Sequence, residues 1–196
     1  MNGFLNPEEV LIQLELRKEM TAADFGSGSG GWAIPLAKKL EDGKVYAIDV
    51  LEEPLSALKS KAKIERVGNI ETIRANIEGR EGSGLKENLL DLVLMTNILF
   101  EVENKKVVFD EAKRVLKKNG KILVIDWKPE SAVGPKEKRV SPEEVKKVAE
   151  EIGLKLEKPS TKAKLGAGPV PHRNEVSGAG EFQAGDYHYA LIFTKP

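Results

Sequence analysis

The stretch Thr21–Trp32, TAADFGSGSGGW, constrains this chain more than any other. It reads as the end of a buried strand, a glycine-rich turn and the first turn of a helix. Gly26, Gly28 and Gly30 permit backbone conformations that a Cβ forbids, and so let the chain approach a ligand closely. The helix that follows turns unpaired N–H groups and a positive dipole end back toward the same crevice. Asp24, two residues before the first glycine, puts a carboxylate at the carboxyl end of the strand. A binding site is therefore predicted where open α/β sheets hold their ligands.

The turn parses in two ways. As G-x-G-x-x-G (Gly26, Gly28, Gly31) it is the dinucleotide pattern, which on its own is a weak signal. As D-x-G-x-G-x-G (Asp24, Gly26, Gly28, Gly30) it resembles motif I of the class I S-adenosylmethionine-dependent methyltransferases. Asp24 discriminates between the two. A pyrophosphate gains nothing from an anion close by, whereas S-adenosylmethionine brings an ammonium and a sulfonium and no phosphate.

The rest of the chain supplies the sheet around this turn. Asn6, Pro7 and two following acids predict a short helix over NPEEVLIQLEL, residues 6–16. Strand patterns fall at 21–25, 44–49, 70–74, 89–95 and 121–127, the last after an Asn119-Gly120 turn. Helical stripes separate most of them: Ala33, Leu36, Ala37 and Leu40; Leu55, Leu58 and Ala62 within 54–67; Val108, Ala112, Val115 and Leu116 within 105–116. Ser141-Pro142-Glu143-Glu144 opens a further helix. Residues 78–87 read as a polar loop or a poorly formed helix, and two last strands are predicted at 154–157 and 187–194. Alternation of this kind demands an α/β fold with a parallel sheet and helices on both faces. The last two strands have no helical pattern between them and should pair antiparallel. The expected fold is thus a seven-stranded, mostly parallel, Rossmann-like sheet with an antiparallel last strand, an ending that the resemblance also implies. At 196 residues, one methyltransferase-like domain over 1–196 is the simplest organisation. The Gly- and Pro-rich stretch Pro159–Gly180 is atypical for such a domain, and reads as a surface loop, a substrate lid or an inserted segment.

Composition removes several chemistries. With no cysteine, disulfides, thiolate catalysis and Cys-type metal sites are excluded. The two histidines and scattered acids show no ligand spacing, so no metal is expected. Lys+Arg and Asp+Glu are equal at 31, which provides no global field for nucleic acid. No apolar run approaches a membrane span and the N-terminus lacks a signal pattern, so no membrane partner and a cytoplasmic location are expected. The basic runs Lys61–Arg66 and Lys136–Arg139 read as solvated surface.

Asp49 ends the second strand, 23 residues after Gly26, where a carboxylate can accept both hydroxyls of a ribose. Nicotinamide- and S-adenosylmethionine-binding folds share this feature. Val50 and Leu51 just beyond offer an apolar wall for adenine. The resemblance implies a cofactor set of Asp24, Gly26, Ser27, Gly28, Gly30, Asp49, Val50, Asn76, Ile77 and Asn97. In it, Asn76-Ile77 stands where the family reaches the adenine amino group, with Asn in place of the more usual Asp. Asn97 lies over the donor methyl, within Thr96-Asn97-Ile98-Leu99 rather than the Asn/Asp-Pro-Pro-aromatic signature of DNA-base methylation. The activity implied is S-adenosylmethionine-dependent methyl transfer to an undetermined acceptor, best a small molecule. RNA or protein acceptors and an NAD(P)-dependent oxidoreductase remain the alternatives. Asp126, at the end of the fifth strand, and His188, between two tyrosines of the last strand, are the candidate bases, and such a histidine commonly has a structural role. Trp32, Phe100 and Trp127 could line an acceptor pocket.

Overall fold

The computed structural model describes residues 5–157, 181–182, 184 and 186–196. Helix α1, Pro7–Leu11, starts as the sequence sets it, with the Asn6 side chain accepting from the Glu8 amide and Pro7 in the first turn. It stops short of residue 16. Gln13 and Leu14 donate to Val10 and Leu11 three residues back, tightening the last turn, and Ile12 faces solvent.

Strands β1 (Thr21–Phe25), β2 (Lys44–Asp49) and β3 (Ile70–Arg74) pair in parallel, joined by helices α2 (Ala33–Lys39) and α3 (Glu52–Ile64). On the other side of β1 follow β4 (Leu90–Thr96), α4 (Lys105–Val115) and β5 (Leu116–Trp127). Then come α5 (Pro142–Glu151), β6 (Lys155–Leu156), β7 (Glu181–Phe182) and β8 (His188–Thr194). The strand order is β3-β2-β1-β4-β5-β8-β6. Its first five strands run parallel, and β8 is antiparallel to both β5 and β6. The seven-stranded mixed sheet is therefore as expected. The two-residue β7 is an addition, and it shares the outer edge of β8 with β6.

Strand β5 departs from the expected Asn119-Gly120 turn. Leu116 already pairs with Leu90, and the register then shifts until Lys121 pairs with Leu92. The extra residues bulge out, with Asn119 in the left-handed region (φ 64°) and its amide donating to the Lys195 carbonyl at 2.8 Å. Asn is among the residues that tolerate that conformation, so the turn signal was real but serves an irregularity inside a strand.

Each sheet face has its own core. Ala22, Leu92, Leu94, Leu123, Ile125, Ala190 and Ile192 face α1, α2 and α3, while Phe25, Val93, Met95, Val124, Leu191 and Phe193 face α4 and α5. Alternation along β4 from Leu92, along β5 from Lys121 and along β8 produces this division. Burying one such Leu, Ile or Phe contributes about 1.5–3 kcal/mol, and both faces are continuous across the central strands. The carboxyl ends of β1, β2, β4 and β5 and the start of β8 are thereby held rigidly along one edge.

Candidate functional site

That edge collects the polar residues singled out above. Asp24 is 1% exposed, and among the described residues neither of its oxygens has a hydrogen-bond partner. Burial drives its pKa up to about 8. The nearby Ala33 amide, which closes no proper hydrogen bond with it, acts in the opposite direction, and the charge of Asp49 raises it further. Ser27 Oγ and Asn97 Oδ1 are also buried without partners among the described residues. Asn97 follows β4, whose Leu94 pairs with Asp24. It takes the left-handed conformation (φ 52°), and its amide donates to Ile125 at 2.8 Å. Three unmet buried polar groups on one edge are unusual in a protein that does not bind something there.

The glycine turn is built differently at each position. Gly26 has φ 73°, and a Cβ there would stand 2.3 Å from Ile98 Cδ1, so the turn packs directly on the loop after β4. Gly28 has φ 50° and open space where its side chain would be. Gly30 presses on Leu58 of α3. The amides of Gly26 and Ser27 both donate to the Ile48 carbonyl at 2.9 Å, Gly28 donates to Asp49 Oδ2 at 2.9 Å, and Gly30 donates to Ser27. The amides of Gly26, Ser27, Gly28 and Gly30 are thus already committed within the protein. The Asp49 carboxylate, half-buried, also accepts from Leu51 through Oδ1 at 3.0 Å, which fixes its plane. Val50 and Leu51 beside it are 49% and 59% exposed, an apolar surface open to solvent.

Asn76 is exposed, and its side-chain oxygen accepts from Glu78, while Ile77 is buried. Asp126 is fully buried, with Oδ2 accepting from Leu99 at 2.9 Å and Oδ1 from Trp127 at 2.8 Å. Burial raises its pKa to about 6 against the pull of these two amides. Its visible work is to tie the loop after β4 to the end of β5. His188 lies across from Trp127 at the start of β8. Residues Pro159–Gly180, His172 among them, lie outside the described residues.

Sequence reasoning missed Arg139. Far from being solvated surface, its guanidinium donates to the carbonyls of Pro129, Ser131, Val133 and Pro135 at 2.5–3.0 Å, lacing the loop after β5. Gly134 in that loop lies so close to Trp127 that a Cβ would stand 2.5 Å from the indole. A basic run carries no signal of such lacing, because the carbonyls it needs belong to irregular backbone. Lys61 likewise reaches Ser29 Oγ at 2.9 Å rather than only solvent.

Elsewhere, a groove of about 380 Å³ opens at the opposite, amino edge of the sheet, lined by Leu14, Leu16, Leu92, Leu123 and Ile192 among others. None of the buried unpartnered groups borders it. Among the described residues no cluster of His, Asp and Glu is placed to hold a metal ion, and no helix is long and apolar enough to cross a membrane.

A family model described as a methyltransferase domain matches residues 16–176. A demethylmenaquinone methyltransferase of Bacillus mycoides is 27% identical over 128 residues, 65% of this chain and 53% of that protein. A ubiquinone/menaquinone biosynthesis C-methyltransferase of Escherichia fergusonii is 28% identical over 114 residues, 57% of this chain and 44% of that protein. The chain spans about half the length of these curated relatives. Among solved structures, an S-adenosylmethionine-dependent methyltransferase from Aquifex aeolicus superposes with a TM-score of 0.79 at 27% identity, covering 99% of this chain and 92% of that one.

Proposed function

This chain belongs to the methyltransferase-domain family, and from that premise we propose that it transfers methyl from S-adenosylmethionine to a small organic acceptor. The observation that carries this reading is Asp24. A buried carboxylic acid with two unmet oxygens suits an ammonium, which restores the hydrogen bonds and compensates the charge at once. Asp49, preset by two amides, would take the ribose hydroxyls, and the exposed Val50 and Leu51 would cover the adenine. Gly28 leaves room for close approach, and Asn97 Oδ1 and Ser27 Oγ remain to meet the polar atoms of the amino-acid part. A dinucleotide pyrophosphate would find the Gly26, Ser27, Gly28 and Gly30 amides already bonded and the Asp24 carboxyl beside the turn, which weighs against the oxidoreductase alternative.

S-adenosylmethionine supplies a methyl group already activated by its sulfonium. The protein's own part is then to orient the acceptor and exclude water. Asp126 contributes by fixing the loop that carries Leu99, not by exposing a free base. A small-molecule acceptor is in keeping with the names of the curated relatives, which act on quinone precursors. Parallel calorimetric titrations with S-adenosylmethionine, S-adenosylhomocysteine and NADH test the reading. Binding of the two sulfur nucleosides alone is expected. Binding of NADH alone, or of none of the three, overturns it.

A further inference from the structure

His188 is 3% exposed, and among the described residues neither ring nitrogen has a hydrogen-bond partner. Its ring lies 4.1 Å from that of Trp127, with 39° between the planes. Burial, and secondarily the charge of Lys128, bring its pKa down to about 4, so the imidazole is neutral. A neutral imidazole offers one donor and one acceptor. Leaving both unmet in an apolar surround is costly, and a phenylalanine or leucine would pack at this position without that cost.

The position is informative. Alternation along β8 puts His188 on the face shared by Ala190 and Ile192, and therefore by Leu94 and Ile125. Asp24, paired with Leu94, points to that same face. Thr96 pairs with Ile125 and Ile125 with Ala190, so β8 stands two strands from β4, about 10 Å away at the usual strand spacing. Asp49 and the exposed Val50 and Leu51 lie on the opposite side of β4, beyond β1. His188 therefore stands on the side of β4 away from the nucleoside positions, the side left for the acceptor. The Arg139-laced loop rests on Trp127, the residue opposite His188.

We propose that His188 selects the acceptor, by hydrogen bonding an uncharged hydroxyl or carbonyl oxygen of the molecule bound beside Trp127. A carboxylate would find no counter-charge in the ring, while the nearby Lys128 is bonded to the Asp186 carbonyl at 3.0 Å, and an ammonium would meet a single acceptor beside that same cation. A hydroxyl or carbonyl matches a group with one donor, one acceptor and no charge. This inference rests on the methyltransferase reading.

The test uses the full chain saturated with S-adenosylhomocysteine and 1,4-dihydroxynaphthalene, kept reduced, as probe. The chain has two histidines, so H172Q leaves His188 as the single imidazole for nitrogen-15 NMR. Addition of the diol should shift the His188 ring nitrogens, whereas unsubstituted naphthalene should not. H188F should weaken diol binding at least tenfold and H188N less, with S-adenosylhomocysteine affinity unchanged in both. The retained affinity also shows that the variants are folded. An unshifted imidazole, wild-type diol affinity in H188F, or no diol binding by the saturated protein overturns the proposal. Failure of S-adenosylhomocysteine itself to bind would fall on the cofactor reading instead, and would remove the premise of this one.

Discussion

The Asp49 carboxylate accepts from the Gly28 amide at 2.9 Å, so the acid ending β2 and the middle glycine of the β1 turn form one rigid unit. With the second oxygen held by Leu51, the carboxylate needs no reorganisation to receive a vicinal diol. Asp49→Ala is expected to weaken S-adenosylhomocysteine binding by about 1–3 kcal/mol, the range for charge-assisted hydrogen bonds. Calorimetry reads this directly, and unchanged affinity would sink the ribose placement.

Gly26 and Gly28 should respond in opposite ways to alanine. At Gly26 the new methyl collides with Ile98 in a left-handed backbone, so the variant should lose about 2–4 kcal/mol of stability. At Gly28 the methyl enters open space, and the fold should lose only about 1–2 kcal/mol for the conformation itself. Its larger effect should be on ligand affinity. Urea unfolding alongside titration separates the two, and equal loss of stability in both variants would contradict this division.

Asp24 has a folded pKa of about 8, above its ordinary 3.8. The folded protein then holds a proton that the unfolded chain has released, so stability falls as pH rises through that window and levels off above it. Asp126, raised to about 6, acts with the same sign at lower pH, and His188, lowered from 6.5 to about 4, with the opposite sign. Between about pH 6.5 and 8 Asp24 acts alone, with a slope of up to about 1.4 kcal/mol per pH unit. Asp24→Asn should flatten the stability curve there and make the free protein more stable at pH 8 than the wild type. A slope that survives the substitution would show that another group titrates.

Ligand binding should move the same proton. An ammonium beside Asp24 favours the carboxylate, so S-adenosylmethionine binding near pH 7 should release close to one proton. Calorimetry in phosphate and in Tris, whose ionisation enthalpies differ, measures the number. The release should vanish in Asp24→Asn, and its absence in the wild type would place the ammonium elsewhere.

Arg139→Lys should loosen the loop after β5, because a point charge cannot reach four carbonyls in the plane of a guanidinium. Hydrogen exchange across residues 129–136 should accelerate at a global cost of about 1–3 kcal/mol, with S-adenosylhomocysteine affinity retained. Unaltered exchange would show that the loop is held by other contacts.

The sheet was legible because its signals are local. Alternation and apolar runs located β1, β2 and β3 to the residue, and Asn6 and Ser141 cap the helices that they announce. The bulge at Asn119 was not legible, since whether an Asn-Gly pair makes a turn or an irregular strand depends on Leu90 pairing with Leu116. Asp24 and Asp49 stood out because a carboxylate at a strand end has few other uses. What the sequence could not show was that Gly28 and Asp49 bond each other, that Asp126 is spent on Leu99 and Trp127, or that Asn76 is held by Glu78. The Gly28–Asp49 and Leu99–Asp126 bonds depend on distances between strands, and the two local ones on side-chain rotamers that a sequence does not fix. His188 looked like an ordinary packed histidine, and only its two unmet nitrogens set it apart.

A crystal structure of the protein with S-adenosylhomocysteine bound tests the central claim most directly. In that crystal the ligand's ammonium should lie on Asp24, its ribose diol on Asp49 and its adenine against Val50 and Leu51, with the Gly26 and Ser27 amides still bonded to Ile48. A ligand seated in the amino-edge groove, or one whose polar atoms displace those amides while Asp24 stays unmet, would contradict it.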